Sequence, residues 1–322
     1  MICPLPHELG DVVTLAHGAG GRAMRGLIQH IGSILGPAAT THDGAVLPTD
    51  GPIALTTDSF VVDPIEFPGG NIGHLAVWGT VNDLVATGAR VQALTLSLII
   101  EEGLPLAILD RVLHTIAATG VPIVTGDTKV VERGRGHGLF VNTAGIGREE
   151  LALSPAQINV GDAILVSGDL GRHGAAIMAH RMGFQTALES DCGSCLPLLD
   201  VLAPFAPTCL RDPTRGGLAA VLGELAGPHD IVIERLPVHP SVSAVCEVLG
   251  LDPIHLPCEG RMVVFVPEAR ALAAETALRE LDPAACRVGT VVPGAGRVWL
   301  RDAYGGDRLV DVPLGAPLPR IC

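Results

Sequence analysis

Four aspartates stand where the sequence turns between apolar segments: Asp43 in THDGAVLP, Asp58 in TTDSF, Asp83 in GTVNDL and Asp127 in TGDTKV. Mg2+ takes one or two carboxylates and fills the rest of its shell with water and phosphate oxygens, so carboxylates at strand ends beside glycine turns suit a nucleotide–metal pocket. Taken singly, each Asp is at home as a cap or turn residue. Four together, three of them in apolar surroundings, favour one pocket lined by several elements. Lys129 follows Asp127 and Thr128 inside an apolar strand, where an ammonium is costly unless it meets an anion such as phosphate. A solvated lysine on an edge strand fits the same facts. In LRDPTRGGLA, the residues Asp212, Thr214 and Arg215 precede a helix start at Gly216-Gly217, so a hydroxyl, a guanidinium and backbone amides could converge on one anion. Asp or Thr serving as the helix N-cap is compatible with that. Glu259 in PCEGRMV, ahead of a strand, is a candidate general base or metal ligand, although a lone turn glutamate is more often simply solvated. Gly18, Gly20 and Gly21 of HGAGG could let amides approach phosphate, but they match neither of the common glycine-rich phosphate motifs.

The cysteines divide into three groups. Cys192 and Cys195 form a CxxC without the second CxxC or HxxxH that a four-ligand zinc site needs. His173 and His180, two helical turns apart, read as a coincidence of helix face, and His137, between glycines, as a loop residue. Cys3, Cys209, Cys246, Cys258 and Cys286 read as small buried hydrophobes. Cys322 is different: it is the last residue of a proline-rich arm, VPLGAPLPRIC, and carries its thiol beside the α-carboxylate. Such an arm can reach a site that a rigid element could not.

The elements that must position these groups are legible in outline. At 322 residues the chain has room for two cores, and 48% apolar against 17% charged residues excludes a disordered chain. Forty glycines and 25 prolines imply many tight turns and argue against a helical bundle. A net charge of −13 makes nucleic acid and anionic membrane poor partners. The start lacks a basic region followed by an apolar one, and ALTLSLII is too short to span a bilayer, so a soluble cytoplasmic protein is expected.

Apolar periodicity predicts strands over 52–62, 91–100, 121–131 and 138–147, with helices over 71–88 and 104–119 between them. After Leu153 a fresh strand, AILVSG, opens a second alternation. Its helices are expected near 171–182, 196–206, 216–226, 241–249 and 269–281, and its strands near 230–234, 261–266 and 287–292. The reading is a mixed α/β and α+β protein with domains 1–153 and 154–311 and an extended, mobile tail over 312–322.

Together HGAGG, TTDSFVVDP with PGGNIGHLAVWGTVNDL, TGDTKVV, RDPTRGGLA, CEGRMV and the final PRIC resemble the HypE family of hydrogenase maturation proteins, within the aminoimidazole ribonucleotide synthetase-like superfamily. The similarity spans essentially the whole chain in order, and it departs from the family at His74, where lysine is usual. The resemblance implies a two-domain fold whose N-terminal domains pair into a dimeric sheet barrel, so a homodimer.

It also implies ATP and Mg2+ as cofactors. The terminal thiol, Cys322, would receive a carbamoyl group from the carbamoyltransferase HypF. ATP-dependent dehydration would convert it to S-cyanocysteine, whose nitrile passes to iron on the HypC and HypD scaffold. On this basis Asp43, Asp58, Asp83, Asp127 and Asp212 would hold metal and phosphates, with Asn82, Gly126, Thr128, Thr214 and Arg215 completing the ATP site. Lys129 would stabilise the transferred phosphoryl group, and Glu259 would accept a proton. Two other readings compete: a small-molecule kinase or selenophosphate-type synthetase indifferent to the tail, and a non-enzymatic metal carrier or scaffold using Cys192, Cys195 and Cys322.

Overall fold

The computed structural model describes residues 21, 22, 25, 26, 45–49, 51–302, 304–311, 318 and 320–322. Asp43, Gly18, Gly20 and Cys3 lie outside them. The first half is built on a five-stranded sheet in the order β1-β2-β7-β5-β6. Its strands are β1 (Ala45–Thr49), β2 (Gly51–Phe60), β5 (Ala89–Glu101), β6 (Ile123–Val131) and β7 (Leu139–Glu149). A two-stranded ribbon, β3 (Glu66–Phe67) with β4 (Gly70–Asn71), leads into helix α1 (Ile72–Ala86), and α2 (Leu106–Ala118) follows β5.

α1 is apolar on every side, and such a helix must be enclosed. Leu75, Ala76, Val77, Val81, Leu84 and Val85 are fully buried. One side packs on β2, β5 and β7 and another meets the second half of the chain. Its N-terminus is capped by Asn71, whose side-chain oxygen accepts from Gly73 N at 2.8 Å while its amide donates to Thr115 in α2 at 2.9 Å. Gly88 ends the segment at φ +80°, where a Cβ would lie 1.9 Å from the Leu151 carbonyl oxygen, so only glycine fits.

The second half is a seven-stranded sheet, β14-β13-β10-β12-β8-β11-β9, antiparallel except for the β10–β13 pair. The strands are β8 (Ala163–Val166), β9 (Cys209–Arg211), β10 (His229–Ile233), β11 (Val263–Val266), β12 (Cys286–Pro293), β13 (Val298–Arg301) and β14 (Asp307–Leu309). The helices are α3 (Arg172–Arg181), α4 (Pro197–Leu202), α5 (Gly217–Leu225), α6 (Pro240–Leu249) and α7 (Glu268–Leu281). β8 and β11 are continuous apolar runs because both faces are covered. Ile164, Val166, Val263 and Phe265 pack to one side, and Ala163, Leu165, Val264 and Val266 to the other.

The expected elements form within a few residues of their expected ends, with two kinds of exception. The segment expected as one helix over 196–206 is α4 followed by a 3-10 turn, Ala203–Phe205, broken where Pro204 has no N–H to continue the ladder. β1, β9, β13 and β14 carried no expectation, being short or at a sheet edge, where alternation is weak.

Candidate functional site

The site gathers where the ends of β2, α1, β9 and the turn before β11 meet the end of the chain. Asp58 lies near the end of β2 on the face turned toward α1: a Cβ built on Gly79 of α1 would be 3.9 Å from Asp58 Oδ2. Asp83, near the end of α1, accepts from Thr56 Oγ1 at 2.8 Å. Asp212 follows β9 and is 6% exposed. Arg215 sits four ångströms from Asp58, Nη2 to Oδ1 being 4.0 Å.

Gly216, with φ +81°, is the N-cap of α5, and no side chain caps that helix. The expected Asp or Thr cap is therefore absent, because the chain enters α5 through two left-handed glycines. A Cβ on Gly217 would come within 2.6 Å of the Ile254 carbonyl oxygen, so the turn requires glycine.

Glu259 is 3% exposed. Among the described residues its Oε1 has no hydrogen-bond partner. Burial, with Asp212, Asp191 and Asp58 nearby, pushes this carboxyl well above its ordinary range, while Arg215 opposes the shift. Burial also raises Asp58, and it pushes Asp212, beside Asp58, up to about 6. These are like charges held together, Asp212 and Glu259 out of water and Asp58 half-buried.

The end of the chain enters this cluster. Leu318 and Ile321 are 6% and 4% exposed and belong to the apolar core shared by α1, α3 and α6. Burial pushes the Cys322 thiol up, and Glu259, Arg215, Asp58 and Asp212 all act on it electrostatically. Cys322, in turn, is the strongest influence on Arg215. Asp58, Asp83, Asp212, Arg215, Glu259 and Cys322 are thus brought together.

Asp127 and Lys129 are not. Residues opposite each other in register share a sheet face, and Asp127 aligns with Ser97, Asn142 and Ser59, one step out of phase with Asp58. The pair therefore lies on the sheet face turned away from α1, on edge strand β6, both side chains exposed and ion-paired at 3.1 Å. Lys129 is the solvated edge lysine of the alternative reading within this chain. Gly126 has a packing reason, since a Cβ there would sit 2.2 Å from the Leu96 carbonyl oxygen. Thr128 occupies the strand position between them.

Asn82 is 2% exposed, and its amide is taken up by backbone. Nδ2 donates to Gly193 O at 3.0 Å and Glu259 O at 3.2 Å, while Oδ1 accepts from Cys195 N at 2.8 Å. Instead of facing phosphate, it pins the CxxC loop to the Glu259 turn. Thr214 accepts the turn bond from Gly217 N at 2.9 Å through its carbonyl. Gly21 of HGAGG is buried, its carbonyl accepting from Arg25 N at 3.1 Å. Burial raises the thiols of Cys192 and Cys195. Among the described residues no three His, Cys, Asp or Glu side chains converge in a geometry ready to hold a metal. His180 is exposed, whereas His173 is fully buried against the tail. The role of His173 had no sequence signal beyond a histidine one residue into a glycine-led helix.

The fold, two joined α/β halves with carboxyls gathered where they meet, is that of an AIR synthase related protein. Residues 41–148 match the family model for the N-terminal domain of AIR synthase related proteins, and residues 159–300 match the C-terminal domain. Within that class the chain belongs to the HypE family of hydrogenase maturation proteins. It is 46% identical to carbamoyl dehydratase HypE of Rhodobacter capsulatus, over 96% of this chain and 98% of the relative. It is similar to a crystal structure of HypE in complex with ATP, with a TM-score of 0.81 and 42% identity over 97% of this chain and 100% of that one. A HypE–HypF complex matches with a TM-score of 0.84 and 39% identity, over 89% of this chain and 99% of that one. No described helix is long and apolar enough to cross a membrane.

Proposed function

We propose that the protein is an ATP-dependent carbamoyl dehydratase whose substrate is a carbamoyl group on its own Cys322. The observation that carries this reading is the Cys322 thiol lodged among Glu259, Arg215, Asp58 and Asp212. In that position burial keeps the thiol protonated and poorly nucleophilic, so the site suits work on a group already attached to sulfur rather than loading of the sulfur. A relative named carbamoyl dehydratase HypE, a HypE structure in complex with ATP and a HypE–HypF complex support the same reading.

The chemistry balances in two steps. The carbamoyl oxygen attacks the γ-phosphorus of ATP, breaking its bond to ADP, and one amide proton leaves as the O-phosphoryl imidate forms. The second amide proton then leaves as the C–O bond to phosphate breaks, giving S–C≡N. Glu259, whose Oε1 is unpartnered among the described residues, is the acceptor for an amide proton in its ionised form, which Arg215 favours and burial beside Asp212, Asp191 and Asp58 opposes. Arg215 faces the developing phosphoryl charge.

The residues fit Mg2+. Asp58, half-buried, and Asp212, buried, are neighbouring like charges that a divalent cation would compensate, and these two carboxylates would hold it with water and phosphate oxygens completing its shell. When bound, the ion neutralises triphosphate charge. HypF would load Cys322, and the nitrile would pass to iron on HypC and HypD. The cytoplasm is the expected compartment, since the described cysteines are all free thiols.

Asp127 and Lys129 find a role if two copies pair. The sheet face turned away from α1 exposes Leu55 and Ile99, and edge strand β6 exposes Val124 and Val130, 66% and 69% open. Pairing of these surfaces in a homodimer would bury them and carry Asp127 and Lys129 into the site of the second copy. Sedimentation of the full chain is expected to show a dimer that Val130→Lys weakens; a wild-type monomer at micromolar concentration would contradict the pairing.

The dehydratase reading is tested by mass spectrometry of the C-terminal peptide after incubation with the carbamoyltransferase, carbamoyl phosphate and MgATP. The expected result is a carbamoyl adduct on Cys322 that loses one water only when ATP is present. An adduct that persists unchanged with ATP would overturn the reading and favour a small-molecule synthetase.

A further inference from the structure

The last residues are held by their backbone. The Arg320 carbonyl accepts from Asp63 N at 3.2 Å and from the Arg181 guanidinium, and the Arg320 side chain pairs with Asp63 at 3.0 Å. Arg320 adopts φ +51°, a left-handed turn that swings Ile321 inward. One residue further on, His173 Nε2 lies 2.8 Å from the Ile321 carbonyl oxygen, and His173 Nδ1 lies 2.7 Å from Ser190 Oγ.

The donor directions follow from what each partner can do. A carbonyl oxygen only accepts, so Nε2 carries the hydrogen. In a neutral ring Nδ1 must then accept, so the Ser190 hydroxyl donates to it. Ser190 Oγ in turn accepts from Cys192 N at 3.0 Å. The three bonds run one way, from the CxxC loop through Ser190 and His173 to the tail, and they fix the tautomer.

The surroundings hold the ring in place. The Phe67 ring meets it edge-on at 5.4 Å, and Ser190 N donates to Pro68 O at 2.9 Å. A Cβ on Gly69 would approach Ser190 N to 2.8 Å, so glycine is required for that contact. Burial pushes His173 down to about 4, which keeps the ring neutral wherever the protein would work.

We propose that His173 is a positioning residue: its bond to the Ile321 carbonyl sets the register of the tail and so fixes where the sulfur of Cys322 sits among Glu259, Arg215, Asp58 and Asp212. Because the contact is to backbone, it fixes depth of insertion without reading the side chain that is modified. A shift of one residue would move the reacting group by about 3.4 Å, beyond reach of any site-bound group. The inference rests on Cys322 as the substrate carrier for its catalytic consequence, but the clamp itself can be read without catalysis.

The experiment compares full-length wild type, His173→Phe, His173→Gln and Ser190→Ala. The first readout is the rate of iodoacetamide alkylation at Cys322, with Cys192 in the same digest as an internal reference. The second is single-turnover dehydration of the carbamoylated protein over a range of ATP concentrations. Phe keeps the bulk of the ring but cannot donate, whereas the Gln amide can.

His173→Phe is expected to speed alkylation of Cys322 about tenfold, the loss expected of one buried hydrogen bond, with Cys192 unchanged. Its dehydration rate is expected to fall by about ten- to a hundredfold at unchanged KM for ATP, with His173→Gln recovering most of both losses. In Ser190→Ala, where Cys192 N loses its partner and the buried Cys286 serves as the reference instead, both readouts are expected to move in the same direction by less, and this variant carries the test if His173→Phe does not fold. Unchanged protection of Cys322 in a folded variant, or Cys322 and the reference cysteine becoming reactive together, would overturn the proposal. If the wild type forms no nitrile, the dehydratase reading fails while the alkylation ratio still decides the clamp.

Discussion

Asp212 and Glu259 are buried carboxyls and Asp58 a half-buried one; the charged form of each is disfavoured in the folded chain, and this has a thermodynamic signature. Asp212 has its pKa raised from 3.8 to about 6. A carboxyl raised in this way binds its proton more tightly in the folded state, so its contribution to stability is complete below pH 3.8 and is lost as pH rises toward 6. Asp212→Asn is therefore expected to be more stable than wild type at pH 7.5, by about 1–3 kcal/mol, and to flatten the stability profile between pH 4 and 6. Chemical denaturation across that range measures it; a variant less stable than wild type at neutral pH would contradict the assignment.

At this scale much was legible and some was not. An Asp beside a strand end, an Asp-Pro-Thr-Arg-Gly-Gly turn and a terminal Cys are chemically distinctive. Asn82 looked the same as a phosphate contact because sequence cannot tell which groups a buried amide will meet. His173 was hidden for a related reason: its partner in the fold, Ile321, is 148 positions away in the chain.

Among the elements, α1 bears the most. It carries Asn82 and Asp83 to the site, packs on the first sheet, and contacts the second half through Val85 and Ala86. The spacing of its apolar residues was readable as a helix over 71–88, whereas its enclosure on every side comes from the fold. What was not readable was that its last turn would anchor a loop more than a hundred residues away. Asn82→Ala would leave Cys195 N, Gly193 O and Glu259 O each without that partner. The expected cost is about 2–4 kcal/mol, with a larger loss of dehydration rate than of ATP binding because the Glu259 turn loosens. Thermal unfolding and ATP titration together check it, and an unshifted melting point would contradict the clamp role.

The sheet faces show where periodicity stops being enough. β8 and β11 were legible as strands, and the fold covers both of their faces. In β6 the alternation of Asp127 and Lys129 with their neighbours was visible, but which face each would join depends on register with β5, set by contacts far along the chain.

For the molecule as a whole, two halves with separate sheets meet along α1, α3 and α6, and the end of the chain is inserted into that shared core. Length left room for two cores, the alternation of strands and helices told of a mixed α/β and α+β protein, and the motif order told of the family. The path of the tail back into the site could not be read, because the proline-rich arm itself encodes reach rather than a destination.

The central claim is that this insertion makes Cys322 the carrier on which a nitrile is formed beside Glu259. Isotope-edited infrared spectroscopy tests it most directly, using protein carbamoylated on Cys322 with 13C-labelled carbamoyl phosphate and then given MgATP. The expected result is an isotope-shifted nitrile band in the wild type, absent without ATP, whose rate of appearance falls by about a hundredfold or more in Glu259→Gln. A nitrile formed equally fast in Glu259→Gln, or none formed on fully carbamoylated wild type, would contradict it.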